Sequence, residues 1–107
     1  MKYVGNMIYD TSLKQEHADF VIFGAGKFGR RIYEYLYIND LARNVSFFCD
    51  MNEKLWGGKI NDIEIVNPRQ LITDREKYHY LVGGNYANEM IKFLVENNID
   101  KIHVLFA

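Results

Sequence analysis

Phe20-Val21-Ile22-Phe23-Gly24-Ala25-Gly26-Lys27-Phe28-Gly29 decides how this 107-residue chain folds. Four apolar residues run without interruption into a glycine, the pattern of a central strand covered on both faces. Helical spacing starts at once. From Lys27 to about Leu41, Phe28, Ile32, Tyr35, Leu36 and Ile38 recur at three- and four-residue intervals and form one apolar stripe. A strand, a tight turn and a helix therefore succeed one another, with Gly24, Gly26 and Gly29 at the joint.

The same alternation continues on either side. Val45 to Cys49 reads as a second strand, with Asp50-Met51-Asn52 as the turn at its end. After Trp56, the Gly57-Gly58 pair and the apolar positions Ile60, Ile63, Ile65 and Val66 suggest a small ribbon or an irregular strand. Asn67-Pro68 has the form of an N-cap with proline at the first helical position, opening a short helix through Leu71 and Ile72. Tyr80-Leu81-Val82 leads into Gly83-Gly84-Asn85. Ala87, Met90, Ile91, Leu94 and Val95 then space out a helix that ends at Asn97-Asn98, and Lys101 to Phe106 makes a last strand. Strands alternating with helical segments imply βαβ units with right-handed crossovers. The expected fold is α/β: a Rossmann-like open, mostly parallel sheet of about five strands in the order 3-2-1-4-5, with helices on both faces. Residues 19–107 form a single nucleotide-binding domain in this reading. Residues 1–18 are an N-terminal appendage in which Asp10-Thr11-Ser12 starts a short helix.

Composition narrows the function. Lys and Arg number 13 against 14 Asp and Glu, a net charge of -1, which leaves no basic excess for a phosphate backbone and argues against a nucleic-acid partner. Cys49 is the sole cysteine, so no intrachain disulfide forms and a cytoplasmic location is the default. No stretch approaches the roughly 20 apolar residues of a spanning helix, so no membrane is expected. Catalytic signatures are missing too. No tyrosine has lysine four residues later, Ser12 and Ser46 sit outside any nucleophile elbow, and no P-loop occurs. His17, His79 and His103 are scattered without metal-ligand spacing and read as structural or surface residues, so neither a catalytic set nor a metal is expected.

The glycine joint is suited to a phosphate. In a dinucleotide fingerprint the first glycine allows the tight turn, the second lets backbone approach the phosphates, and the third lets helix pack close to strand. Gly24, Gly26 and Gly29 fill those places, with Ala25, Lys27 and Phe28 between them. Amides at the start of the helix lack intrahelical partners, and the helix dipole favours an anion there. Asp50 ends the next strand roughly 20 residues later, where a ribose-binding acid is required. A carboxylate accepts from free ribose hydroxyls and repels a 2′-phosphate, which disfavours NADP against NAD or a nucleotide with an unmodified ribose. Gly83, Gly84 and Asn85 lie across the switch point, where they approach the sugar or base side of the ligand; the alternative for Asn85 is a helix cap. Trp56 either covers a base or packs in the hairpin beside Gly57-Gly58. Tyr33 and Tyr37 suit a subunit contact or packing on the second side of the sheet.

Three separated segments also carry a family likeness. Val21-Ile22-Phe23-Gly24-Ala25-Gly26-Lys27-Phe28-Gly29-Arg30, Phe47-Phe48-Cys49-Asp50 and Trp56-Gly57-Gly58-Lys59-Ile60-Asn61-Asp62-Ile63-Glu64-Ile65-Val66 resemble the small Rossmann-like domains of bacterial surface-polysaccharide enzymes. The pattern is similar to the N-terminal domain of sugar O- and N-acetyltransferases of the sialic-acid and bacillosamine pathways, and to the lead-in domain of nucleotide-sugar dehydratases. The resemblance implies a module that binds NAD or a nucleotide-sugar through Gly24 to Gly29, Asp50 and Gly83 to Asn85, and that is non-catalytic alone because the β-helix that carries acetyl-CoA in those enzymes does not come after it. The alternatives are a nucleotide-sugar-modifying enzyme that is truncated or depends on a partner catalytic domain, and a degenerate Rossmann domain kept for assembly as a homo-oligomer through the tyrosine face or the last strand, read as a sheet edge. Asp62 departs from the pattern, since relatives tend to have glycine there, and alters the turn.

Overall fold

The strand that opens the quoted segment is the middle of the molecule. In the computed structural model, which describes residues 2–3 and 18–105, β2 (Asp19–Phe23) lies between β3 (Val45–Cys49) and β6 (Tyr78–Val82), parallel to both. β5 (Ile63–Val66) pairs parallel outside β3, and β7 (Ile102–Val104) pairs parallel outside β6. Numbered along the parallel core, this is the expected 3-2-1-4-5 order. Two short strands extend it: β4 (Lys59–Ile60) forms an antiparallel hairpin with β5, and β1 (Lys2–Tyr3) runs parallel beside β7. The full order is β1-β7-β6-β2-β3-β5-β4.

Alternation along β2 sorts the core into two layers, because successive side chains of a strand point to opposite faces. Phe20 and Ile22 pack with Ile32 and Leu36 of α1 (Lys27–Ile38), while Val21 and Phe23 pack with Leu94 of α2 (Ala87–Glu96). All seven of these side chains are essentially closed to solvent. An irregularity between β2 and β3 shifts the register after Phe20, which pairs with Val45, whereas Val21 pairs with Phe47. Skipping Ser46 in this way is what puts Val45 and Phe48, three residues apart, in the same layer.

Several expectations need correction. In the stretch expected as the last strand, Lys101 to Phe106, the described strand β7 is not a free edge: β1 lies outside it, with Lys2 opposite His103 and Tyr3 opposite Val104, so the assembly argument from an exposed terminal strand falls. Two residues of the segment read as an appendage thus belong to the sheet. The Asp10-Thr11-Ser12 helix start lies outside the described residues. Asn67 does cap, its Oδ1 accepting from Arg69 N–H at 3.0 Å, but it opens only one 3₁₀ turn, Pro68–Gln70, since no apolar period sustains a longer helix. Ile38 is 80% exposed and lies off the α1 stripe. The two tyrosines singled out in α1 divide: Tyr33 packs on the core with its ring 6.1 Å from that of Phe48, and Tyr37 is exposed.

The β4–β5 hairpin turns on Asn61 and Asp62, with φ of 51° and 66°. Positive φ at both central residues is the geometry that favours Asn-Gly, and asparagine is present while glycine is not. Asp62→Gly is expected to stabilise the protein by roughly 0.5–1 kcal/mol in urea denaturation. Cys49 is fully buried, and burial, reinforced by the neighbouring Asp50 charge, pushes its thiol pKa well above the ordinary value. The folded state therefore holds the thiol proton more tightly than the unfolded chain, so stability is complete below the ordinary thiol range and falls as pH rises through it. Urea midpoints should drop between about pH 8 and about pH 10, less so in Cys49→Ala, and a thiol-specific reagent should label Cys49 only as the protein unfolds.

Candidate functional site

The turn after β2 is shaped by what its glycines permit. Gly24 adopts φ +106° and donates its N–H to the Cys49 carbonyl at 2.6 Å, which turns the chain back across the end of β3. A Cβ on Gly29 would run into the Gly24 carbonyl, so only glycine lets α1 come this close to the strand. Gly26, by contrast, would meet nothing within 4 Å. It caps α1 with no side-chain hydrogen bond, and the first turn carries no acidic residue. The amides of Lys27, Phe28 and Gly29, which have no intrahelical acceptors, thus begin the helix at an uncapped, electropositive end.

Asp50 stands opposite and is engaged on every side. Its Oδ2 accepts from Ala25 N–H at 2.9 Å and its Oδ1 from Asn52 N–H at 2.8 Å. Its own N–H donates to the Val66 carbonyl at 3.2 Å, and its carbonyl accepts from Trp56 Nε1–H at 2.7 Å. Trp56 is therefore a hairpin residue, half-buried against the α1-side core, and not a cover for a base. An ionised carboxylate offers about four acceptor positions, so two remain for a ligand.

Between these walls lies a cleft of about 640 Å³ at the C-terminal ends of the parallel strands. Gly24, Gly26, Lys27, Phe28, Gly29, Asp50, Gly83 and Asn85 all line it. The other two expected residues stand behind: Ala25 is buried with its N–H on Asp50, and Gly84, at φ +87°, lies under the Phe28 ring, which a Cβ would strike. Gly83 packs against the Leu105 carbonyl, again leaving no room for a side chain. Asn85 is exposed at the cleft and does not cap α2, whose N-cap is Tyr86. Sequence reasoning missed Phe23, Met51, Tyr86, Glu89, Met90 and Phe93, which complete the lining. The signal was present for four of them, since Tyr86, Glu89, Met90 and Phe93 fall at i, i+3, i+4 and i+7 on one face of α2. Phe23 and Phe93 meet edge to face at 5.9 Å and form the apolar floor. The charged lining consists of Lys27, Asp50 and Glu89. Elsewhere, His79 Nδ1 and His103 Nε2 lie 3.0 Å apart, and no group of three or more His, Cys, Asp or Glu that could hold a metal occurs among the described residues. No described helix is long and apolar enough to cross a membrane.

No family model matches the chain. It is 33% identical over 89 residues to the redox-sensing transcriptional repressor Rex of Clostridium botulinum (strain Hall), covering 78% of this chain and 42% of that protein. To Rex of Clostridium novyi (strain NT) it is 32% identical over 92 residues, 81% of this chain and 44% of that one. The chain thus spans less than half the length of these relatives. Among solved structures it is similar to RSP, a Rex-family repressor (TM-score 0.62, 21% identity, 90% of this chain and 55% of that chain). It is similar also to RSP in complex with beta-NADH (TM-score 0.61, 24% identity, 83% and 45%) and to RSP in complex with beta-NAD+ and operator DNA (TM-score 0.60, 21% identity, 84% and 50%). The chain has a nucleotide-binding Rossmann-like fold.

These likenesses correct two expectations. The resemblance to sugar acetyltransferases and nucleotide-sugar dehydratases finds no support, because the relatives are transcriptional repressors; a glycine-rich βα turn belongs to the fold and recurs with many functions. The exclusion of nucleic acid is overturned by RSP bound to operator DNA and by the repressor identity of the sequence relatives. Charge balance reports only on the surface of the segment counted, and the matched stretch is 42% of the relative's length.

The contrast among the glycines is directly testable. Gly29→Ala is expected to cost about 1–3 kcal/mol in urea denaturation by overpacking, whereas Gly26→Ala, with open space around it, should stay within about 0.5 kcal/mol of the parent.

Proposed function

We propose that this chain is the NAD(H)-binding domain of a Rex-type redox-sensing transcriptional repressor. The observation that carries this reading is the uncapped start of α1 opening on the cleft opposite Asp50, in a segment 33% identical to Rex. The pyrophosphate lies on the amides from Gly26 to Gly29 with Lys27 beside it, where helix-end dipole and charge both favour an anion. Asp50 accepts from the adenosine ribose through its remaining lone pairs. The apolar side chains of the cleft take the rings. Residues 19–107, with Lys2 and Tyr3 of β1 added at the border of the sheet, constitute the nucleotide-binding module.

The cleft brings together no nucleophile and base of the kind bond-making needs, so binding itself is the output, and the ratio of reduced to oxidised nucleotide is what the site reports. Operator DNA is the partner of the whole protein in this proposal, and the cytoplasm its place of action. A nucleotide-sugar is not favoured by any feature of the cleft.

Titration followed by NADH fluorescence tests the reading. Saturable binding is expected for NADH, with NADPH weaker by roughly tenfold or more because Asp50 repels a 2′-phosphate. Gly26→Asp should abolish binding while leaving Tm nearly unchanged, since it sets a negative charge at the anion position and nothing lies within 4 Å of where its Cβ would stand. Equal affinity for NADPH, or retained affinity in Gly26→Asp, would sink the proposal.

A further inference from the structure

We propose that Asp50 is a positioning residue for the phosphate-binding turn as well as an acceptor for ribose, so that one carboxylate couples two ligand subsites; the inference rests on the dinucleotide reading above. The turn needs an outside support. Ala25 sits between two glycines, and glycine-flanked backbone is the most costly to hold in one conformation. Two hydrogen bonds tie the turn to the end of β3. One is backbone to backbone, Gly24 N–H to the Cys49 carbonyl, and any sequence could make it. The other, Ala25 N–H to Asp50 Oδ2 at 2.9 Å, depends on one side chain and is the stronger kind, because its acceptor is charged.

Asp50 is well placed to act as a brace because it cannot swing away. Asn52 N–H holds the second carboxylate oxygen, and Trp56 Nε1–H and the Val66 carbonyl hold the two ends of the Asp50 backbone. With Ala25 and Asn52 taking two of its acceptor positions, the carboxylate keeps two for hydroxyls. Removing the charge therefore loosens the amides that meet the pyrophosphate, whether or not the ligand carries the hydroxyl that Asp50 would accept. An acid that served ribose alone would have no such effect.

The test is a cycle between Asp50→Asn and removal of the ligand hydroxyl, using β-NAD+ and its 2′-deoxyadenosine analogue. The variant is expected to bind both ligands roughly tenfold or more weakly, with a somewhat larger loss for β-NAD+. If the variant binds the deoxy analogue as well as the parent does, Asp50 is a ribose acceptor only and the inference is overturned. Amide hydrogen exchange at Ala25, followed by NMR without ligand, reads the brace separately. Exchange should quicken by roughly tenfold or more in Asp50→Asn while the amides of β2 and β3 stay protected. Unchanged exchange at Ala25 overturns the brace. Quickened exchange in a protein that binds neither ligand upholds the brace and dismisses the dinucleotide reading.

Discussion

Two adjacent strand ends, Phe23 and Cys49, must be joined across their tips for anything else in this protein to work. The join is the pair of hydrogen bonds from Gly24 and Ala25 to Cys49 and Asp50. It sets the direction in which α1 leaves the sheet, and Gly29 packing on the Gly24 carbonyl fixes that direction by allowing no gap. The helix start then faces the cleft instead of the sheet. The parallel strands of the core collect their carbonyl-rich ends at one edge, and the positive helix end arrives there to offset them.

The cleft is a compromise between that polar edge and the two-layer core. Phe23 is the last residue of β2 and belongs to the layer under α2, yet it also forms the floor of the site with Phe93. The apolar interior thus continues into the cleft without a break. Rigid packing supplies the placement of the polar groups, and only a few of them, Lys27, Asp50 and Glu89, carry charge into the space.

How much of this was readable in the sequence varies with the range of the interaction. The five parallel strands and their order came from uninterrupted apolar runs and helical spacing, which are local signals. Most of the glycine turn and Asp50 were legible because steric demands on glycine are written in single positions. The α2 side of the cleft was not, since Met90 satisfies a core stripe and a ligand wall equally well, and only the crossing of α2 over the strand ends decides between them. Asn67-Pro68 shows the opposite error: a cap predicts where a helix starts and says nothing about whether packing will carry it further. The family likeness and the charge argument misled for a related reason. Both treated a shared scaffold, or the charge of one segment, as evidence about what is attached to it.

β1 pairs Lys2 with His103 and Tyr3 with Val104, so residues near opposite ends of the sequence lie side by side at one border of the sheet. Such a pairing spans almost the whole chain, and contacts of that separation form late in folding, after the local βαβ units have closed. Among the described residues, two pairs hold it. A border paired this briefly opens and recloses more easily than the central five strands, as the two-pair β4 border opposite does. Anything that pulls on the chain near residue 2 therefore acts first on β7, two strands away from β2 and the turn at its end.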